Sequence, residues 1–345
     1  MSTVPASNTA SAAAGAGLSV VIPVYNEAAN LAALHASLLA LAADFAKSRS
    51  LPVEIIYVDD GSRDNSLAVL HGLPTAGADV QVISFSRNFG KEAALAAGLD
   101  HARKGAVLFM DADGQHPPKM VERLVSLWLD DGFDVAYTAK AHRRNEPPLR
   151  RLFVRGFYAL LNWGSRHKIP PDAGDFRLLS PRAAAALRQL PERNRFFKGL
   201  SSWIGFRQVC VPYEPAERIH GASSWSFQSL VGLSIEGLTS FSVAPLRAAS
   251  VLGFVMAGSA FLFGTWILLE KLISDIAVPG YASLMVATSI IGGVQLIVIG
   301  VMGEYIGKIL SEMKGRPIYF VAEREVREAA PEAAPGTETQ PGAEE

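Results

Sequence analysis

Cysteine is almost missing from this chain: Cys210 is the only one among 345 residues. An internal disulfide and a multi-cysteine zinc site are thereby excluded, and the composition suits a chain facing a reducing compartment. The thiol in "RQVCVPY" is expected to be buried and structural. Net charge is equally scarce. Lys and Arg number 32 against 33 Asp and Glu, a formal balance of −1 that argues against a nucleic-acid partner. No G-x-G-x-x-G follows the first predicted strand and no G-x-x-x-x-G-K-[ST] occurs, so neither a Rossmann dinucleotide site nor a P-loop has support. The opening "MSTVPASNTASAAAGAG" has no basic n-region and no apolar core, and residues 1–17 read as a disordered lead rather than a signal peptide. The Glu-, Ala- and Pro-rich residues 323–345 are expected to form a disordered acidic tail.

Long apolar runs, by contrast, are present. Ala248–Leu269 and Val278–Gly303 are nearly uncharged and show no polar face. Each is long enough to cross ~30 Å of hydrocarbon as a helix, with spans expected over about 248–270 and 279–303. Small residues such as Gly253, Gly258, Gly264, Gly292, Gly293 and Gly300 would let the two helices approach closely, or let copies of the hairpin associate as a homo-oligomer. Arg247 precedes the pair and Lys308, Lys314 and Arg316 follow it, whereas the loop holds Lys271 countered by Glu270 and Asp275. The positive-inside bias therefore predicts a multi-pass protein of the cytoplasmic (inner) membrane, with the large N-terminal region and both termini in the cytoplasm.

Before residue 245, short apolar runs alternate with helical patterns. "LSVVIPVYNE", "VEIIYVDDGS", "VQVISFSRNFG", "AVLFMDADG" and "FDVAYTAK" read as strands; "AANLAALHASLLALAADFAK", "KEAALAAGLDHARK" and "KMVERLVSLWLDD" read as helices. The alternation predicts an α/β fold, a mostly parallel sheet with helices on both faces. Asp64 or Asn65 is a candidate cap for the helix after the second strand. Polar clusters recur where strands end: Tyr25-Asn26-Glu27, Asp59-Asp60, Arg87-Asn88, and Asp111 with Asp113. Open α/β sheets bind ligands at that rim. Residues i and i+2 point the same way at a strand end, so Asp111 and Asp113 should converge. Two carboxylates so placed repel unless a cation lies between them. Hard oxygen ligands suit Mg²⁺ or Mn²⁺, with substrate phosphates completing the shell.

The motifs "SVVIPVYNE", "VDDGSRD" and "DADGQHPP", in that order, resemble glycosyltransferase family 2, the nucleotide-sugar-dependent GT-A fold. The longer matches "RNFGKEAALAAGLDHA", "DFRLLS", "RFFKGLSSWIGF" and "FSVAPLR", together with the predicted hairpin, narrow the likeness to the polyisoprenyl-phosphate glycosyltransferases, the bactoprenol glucosyltransferase and dolichyl-phosphate mannose synthase group. The resemblance covers about Leu18 to Tyr319. It implies a GT-A catalytic domain over residues 18–245, the hairpin over 246–304 and a juxtamembrane segment over 305–322. It also implies that Pro23, Tyr25, Glu27 and Asp60 hold the nucleoside, Asp60 accepting from the base, and that Asp111, Asp113 and Gln115 hold the metal on the sugar diphosphate. Alternative roles stay open: Pro23 shaping its turn, Asp59 capping the next helix, His116 packing beside Pro117. Asp175 in "PDAGDFRLL" is the candidate base or acceptor-orienting carboxylate, with Asp172 as its rival.

The implied reaction carries a hexose, glucose from UDP-glucose as first choice, onto polyprenyl phosphate at a bilayer, with inversion. Mannose, N-acetylhexosamine and modified arabinose are the alternatives. An anionic acceptor predicts cations nearby, and Lys140, Arg143, Arg144, Arg150, Arg151, Arg155, Arg166 and Lys168 stand against Glu146 alone. An anionic membrane surface would attract the same residues. Residues about 149–166 and 225–242 mix arginines or polar groups with large apolar side chains, as membrane-surface helices do. One departure from the family stands out. Where relatives read G-x-S-K-[YW], this chain has Gly221-Ala222-Ser223-Ser224-Trp225, so Arg218 is expected to take more of the phosphate contact. A processive synthase would be expected to carry more spans and a Q-x-x-R-W motif, and a non-catalytic scaffold would not need every ligand residue intact.

Overall fold

The computed structural model describes residues 17–140, 156, 173–192, 197–213, 244–274 and 280–329. The described parts of Met1–Arg144, Asp172–Ala222 and Pro317–Glu345 form one compact unit, and those of Asn145–Pro171 and Ser223–Arg316 form a second.

The first unit is built on an eight-stranded sheet. Its centre is parallel. β1 (Gly17–Val24) lies between β2 (Val53–Asp59) and β4 (Gly105–Phe109), and β3 (Asp79–Phe85) flanks β2. β2 is buried along its whole length and β1 along nearly all of it, which is why both read as unbroken apolar runs rather than alternating ones. One face is covered by α1 (Ala28–Arg49), α2 (Ser66–His71) and α4 (Pro118–Leu129). Leu31, Leu34, Leu38, Leu41 and Phe45 of α1 repeat at helical spacing and enter the core with Leu18, Val20, Ile22 and Val24 of β1. The other face carries α3 (Lys91–His101), which is buried from Ala93 to Leu99. Gly98 is what lets α3 come so close: a Cβ there would lie 2.1 Å from Val21 Cγ1.

The fifth predicted strand, β5 (Val135–Lys140), does not join β4. β6 (Ala173–Leu179) inserts between them, antiparallel to both, and β7 (Gln208–Tyr213) pairs parallel with β5 at the sheet edge. α5 (Pro181–Arg188) and α6 (Phe197–Trp203) follow β6. The edge position corrects one expectation: Cys210 is exposed rather than buried, on the edge strand of the sheet among the described residues, with Pro212 nearby.

The tail departs from expectation more sharply. Residues 323–327, expected to be disordered, belong to β8 (Val321–Arg327), which pairs antiparallel with β3 and completes the sheet. Arg327 donates from Nη1 to the carbonyls of Leu73 at 2.5 Å and His71 at 3.2 Å, and from Nη2 to Leu70 at 2.8 Å, satisfying carbonyls at the end of α2. His71 Nδ1 meets Glu325 Oε2 at 2.6 Å, and Tyr319 stacks on Phe85 with ring centroids 5.0 Å apart. An edge strand with a solvated face needs charge, not apolar alternation, so composition concealed it. Residues 330–345 lie outside the described part of the chain.

The second unit holds two long helices, α7 (Ala244–Ser274) and α8 (Tyr281–Met313). Pro245–Glu270 has a mean hydropathy of 1.9 and Val286–Met313 of 2.0, and neither window is buried. Phe254 is 79% exposed, Phe261 74% and Ile273 81%, more large apolar surface than water tolerates on a folded chain. Ala28–Arg49 also reaches the length and hydropathy of a span, at 1.4, but its apolar stripe is spent on the sheet. Apart from Gly156, the predicted membrane-surface helices at about 149–166 and 225–242 fall outside the described residues.

Arg327→Ala should destabilise the first unit by about 1–3 kcal/mol, because it strips donors from partly buried carbonyls. Denaturant unfolding of the purified chain checks this; an unchanged midpoint would mean that β8 is a passive passenger.

Candidate active site

A cleft of about 400 Å³ opens at the C-terminal ends of β1 to β4, lined by Pro23, Val24, Tyr25, Glu27, Asp60, Asn88, Gly90, Lys91, Asp111, Ala112 and Asp113. All four polar clusters expected at strand ends contribute to it. Parallel strands make this inevitable, since their C-terminal ends share one rim.

The β1 loop is clamped to the loop after β2. Asn26 sits at φ 56; its N–H donates to Ser62 Oγ at 3.0 Å and its Oδ1 accepts from Arg63 N–H at 2.8 Å. Glu27 N–H donates to Ser66 Oγ at 2.9 Å. Asp64, not Asn65, closes the start of α2: its Oδ1 accepts from Ser66 N–H at 3.0 Å, while Asn65 makes no side-chain cap bond. Asp59 accepts from Ser62 N–H at 3.2 Å and Ser84 Oγ at 3.1 Å, so it ties the turn to β3 rather than capping the helix.

Asp60 has a structural task besides any nucleoside contact. Its carboxylate accepts from Phe89 N–H at 2.7 Å and Gly90 N–H at 2.9 Å, which fastens the loop after β3 against the cleft. Burial pushes its carboxyl above the ordinary value despite those donors. Gly61, at φ +66, is the close approach that makes this contact geometrically available: a Cβ there would lie 2.6 Å from the Arg87 carbonyl carbon.

At the cleft floor, Asp111 and Asp113 leave the end of β4 together. Asp113 Oδ1 accepts from the backbone N–H of Gln115 at 3.1 Å. Lys91 Nζ, at the first residue of α3, lies 2.5 Å from Asp111 Oδ1 and 2.8 Å from Asp175 Oδ2 of β6. Lys198 Nζ reaches Asp175 Oδ1 at 3.3 Å. Burial opposes ionisation of Asp175, but the ammonium groups of Lys91 and Lys198 outweigh it and hold the carboxyl well below the usual carboxylate range. Next to it, Glu92 is pushed up to about 7, first by burial and then by the charge of Asp175, although it accepts from Phe197 N–H at 3.0 Å. His116 is buried and stacks on Phe176 at 4.2 Å; its Nε2 lies 3.9 Å from Asp111 Oδ2, too far for a hydrogen bond.

Among the described residues, no three His, Cys, Asp or Glu side chains converge to hold an ion unaided. Two carboxylates at an open cleft fit a divalent ion that draws its remaining ligands from waters and substrate phosphates, the habit of Mg²⁺ and Mn²⁺. Asp172, Arg143, Arg150 and Arg218 lie outside the described residues, as does the side chain of Lys140 at the end of β5. Lys91, Glu92 and Lys198 stand in the quoted stretches "RNFGKEAALAAGLDHA" and "RFFKGLSSWIGF" without having been given a role. Their signal is a helix that starts at the binding rim, but their partners come from distant strands.

Because the folded state raises the Glu92 carboxyl from 4.5 to about 7, it binds more protons than the unfolded chain across that window. Stability from this group is therefore highest at and below pH 4.5, falls as pH rises to 7, and stays low above. Glu92→Gln should remove that slope, so that its gain in Tm over the parent grows between pH 5 and pH 8. Thermal unfolding at several pH values would read it directly.

Comparisons with known proteins identify the family. Residues 19–187 match the model of the glycosyl transferase family 2 domain. An uncharacterized glycosyltransferase of Synechocystis sp. is 40% identical over 306 residues, covering 89% of this chain and 95% of that protein. The SfII prophage-derived bactoprenol glucosyl transferase of Shigella flexneri is 40% identical over 304 residues, 88% of this chain and 97% of its own. A crystal structure of glucosyl-3-phosphoglycerate synthase from Mycobacterium tuberculosis with Mn²⁺, UDP and phosphoglyceric acid overlays at a TM-score of 0.46 with 21% identity, over 67% of this chain and 79% of that one. Its α/β sheet is GT-A-like, and the chain belongs to glycosyltransferase family 2.

Proposed function

We propose that this protein is a membrane-bound inverting glycosyltransferase that moves a hexose from a nucleotide sugar, UDP-glucose in the first instance, onto undecaprenyl or another polyprenyl phosphate at the cytoplasmic face of the inner membrane. The observation that carries the reading is the presence of Asp111 and Asp113 together in the lining of a nucleotide-sized cleft, in a chain with two long helices whose apolar surface lies open. Bactoprenol-directed relatives similar over most of their length support a polyprenyl-type acceptor. In this reading α7 and α8 form a membrane hairpin, with the first unit and both termini on the cytoplasmic side.

The bond that forms joins a lipid phosphate oxygen to the anomeric carbon; the bond that breaks joins that carbon to the donor diphosphate, which leaves as a nucleoside diphosphate. A phosphate monoester has a second pKa near ~6, so the acceptor arrives largely ionised and asks for no strong base. Asp175 fits that demand: two lysines keep it charged, which makes it poor at taking a proton and good at orienting cations around the acceptor. Pro23, Tyr25, Glu27 and Asp60 hold the nucleoside side of the cleft. Mg²⁺ or Mn²⁺ at Asp111 and Asp113, with Gln115 beside them, would offset the charge that develops on the leaving diphosphate. Lys140, Arg143, Arg150 and Arg218 serve the acceptor phosphate and the anionic membrane surface.

The test is transfer from a labelled panel of nucleotide sugars (glucose, mannose, N-acetylhexosamine and modified arabinose donors) to undecaprenyl phosphate in Mg²⁺. UDP-glucose should give a lipid-linked product; no product with any donor overturns the enzyme reading. Asp113→Ala should lower turnover at least about a hundredfold while the chain still folds and inserts. Retained turnover in that variant would remove the metal assignment.

A further inference from the structure

Lys91 already occupies the carboxylate that a metal would need. Its ammonium is shared between Asp111 at the end of β4 and Asp175 in β6, and it takes Oδ1 of Asp111 at 2.5 Å. Without it Asp111 would lose its close cation and Asp175 would keep only Lys198. It stands at the positive end of α3, an 11-residue helix, which adds to the cationic potential at the cleft floor. A divalent ion arriving alone therefore meets a resident cation at its ligand.

The resident also has open space beside it. The Lys91 side chain is 41% exposed and lines the cleft, on a flexible four-carbon stem. Asp175 keeps a second cation, Lys198, when Lys91 turns away. A diphosphate in the cleft offers Lys91 a new anionic partner within the same swing.

We propose that Lys91 is a built-in counter-ion that occludes Asp111 until a donor diphosphate draws its ammonium away, so that metal and nucleotide bind cooperatively. The proposal rests on the metal assignment above. Lys91 acts as a positioning residue: it hands Asp111 over, then sits on the diphosphate side of the cleft. By linkage, whatever factor nucleotide adds to metal affinity, metal adds to nucleotide affinity. Among the described residues, His116 and Lys198 do not offer the same device, since His116 is buried against Phe176 and Lys198 pairs with Asp175.

Mn²⁺ titration of the full-length detergent-solubilised chain, followed by the electron paramagnetic resonance signal of free Mn²⁺ with and without UDP, tests this apart from turnover. The parent should bind Mn²⁺ at least about tenfold more tightly when UDP is present. Lys91→Met should bind Mn²⁺ about tenfold more tightly than the parent without UDP, lose most of the UDP effect, and transfer sugar more slowly; Lys91→Arg should keep the parent's UDP dependence. A removed lysine with a merely structural role would weaken metal binding instead. Should Lys91→Met fold poorly, Lys91→Met/Asp175→Asn restores the charge balance and should show the same tightening. If neither variant gains Mn²⁺ affinity while the parent binds it, the counter-ion proposal is overturned. If no protein binds Mn²⁺ even with UDP, the metal assignment falls first and takes the proposal with it.

Discussion

Carboxylates from separate strands crowd the floor of this cleft, and the fold's main problem is to keep them ionised and apart. Asp111 and Asp175 face one ammonium, and Asp175 a second. Glu92, which has burial and a negative neighbour but, among the described residues, no ion pair of its own at short range, resists ionisation instead. Every positioning element answers to this charge balance. α3 delivers Lys91, α6 delivers Lys198, β4 delivers the aspartate pair, and β6 is inserted antiparallel so that Asp175 reaches them.

The loops above that floor are fixed by backbone donors rather than by packing. Asp60, Asp64 and Asn26 each accept with a side-chain oxygen from an N–H of a neighbouring loop, of Phe89, Ala28 and Arg63 in turn, so these loops are preformed. Such an arrangement suits a reaction in which the nucleophile is already anionic and catalysis consists largely of placement and charge compensation. It also explains why one side chain can carry two duties: Asp60 holds the loop that begins α3, and so indirectly sets where Lys91 stands.

Much of this was legible in the sequence because of two patterns of apolar residues. Unbroken apolar runs followed by polar turns marked β1 to β4, and since parallel strands end on one rim, Tyr25, Asp60, Asn88 and Asp113 had to meet. Length and lack of charge marked α7 and α8. The failures share a cause as well. β8 and Cys210 lie at sheet edges, where one flank is solvated and hydrophobic patterning fades. Lys91, Glu92 and Lys198 draw their meaning from partners on other elements, 20 or more residues away, and no local spacing records such a partnership. The swap of β6 for β5 beside β4 is a matter of strand order, to which alternation is blind.

β8 has a consequence for biosynthesis. The last strand of the sheet is encoded after both long apolar helices, so a nascent chain has made seven strands before the eighth exists. Until then the flank of β3 is an unpaired edge, open to aggregation or to a chaperone. Maturation of the catalytic layer is thus scheduled behind synthesis of the helices, and a ribosome that stalls within them leaves a domain with its seam unsewn.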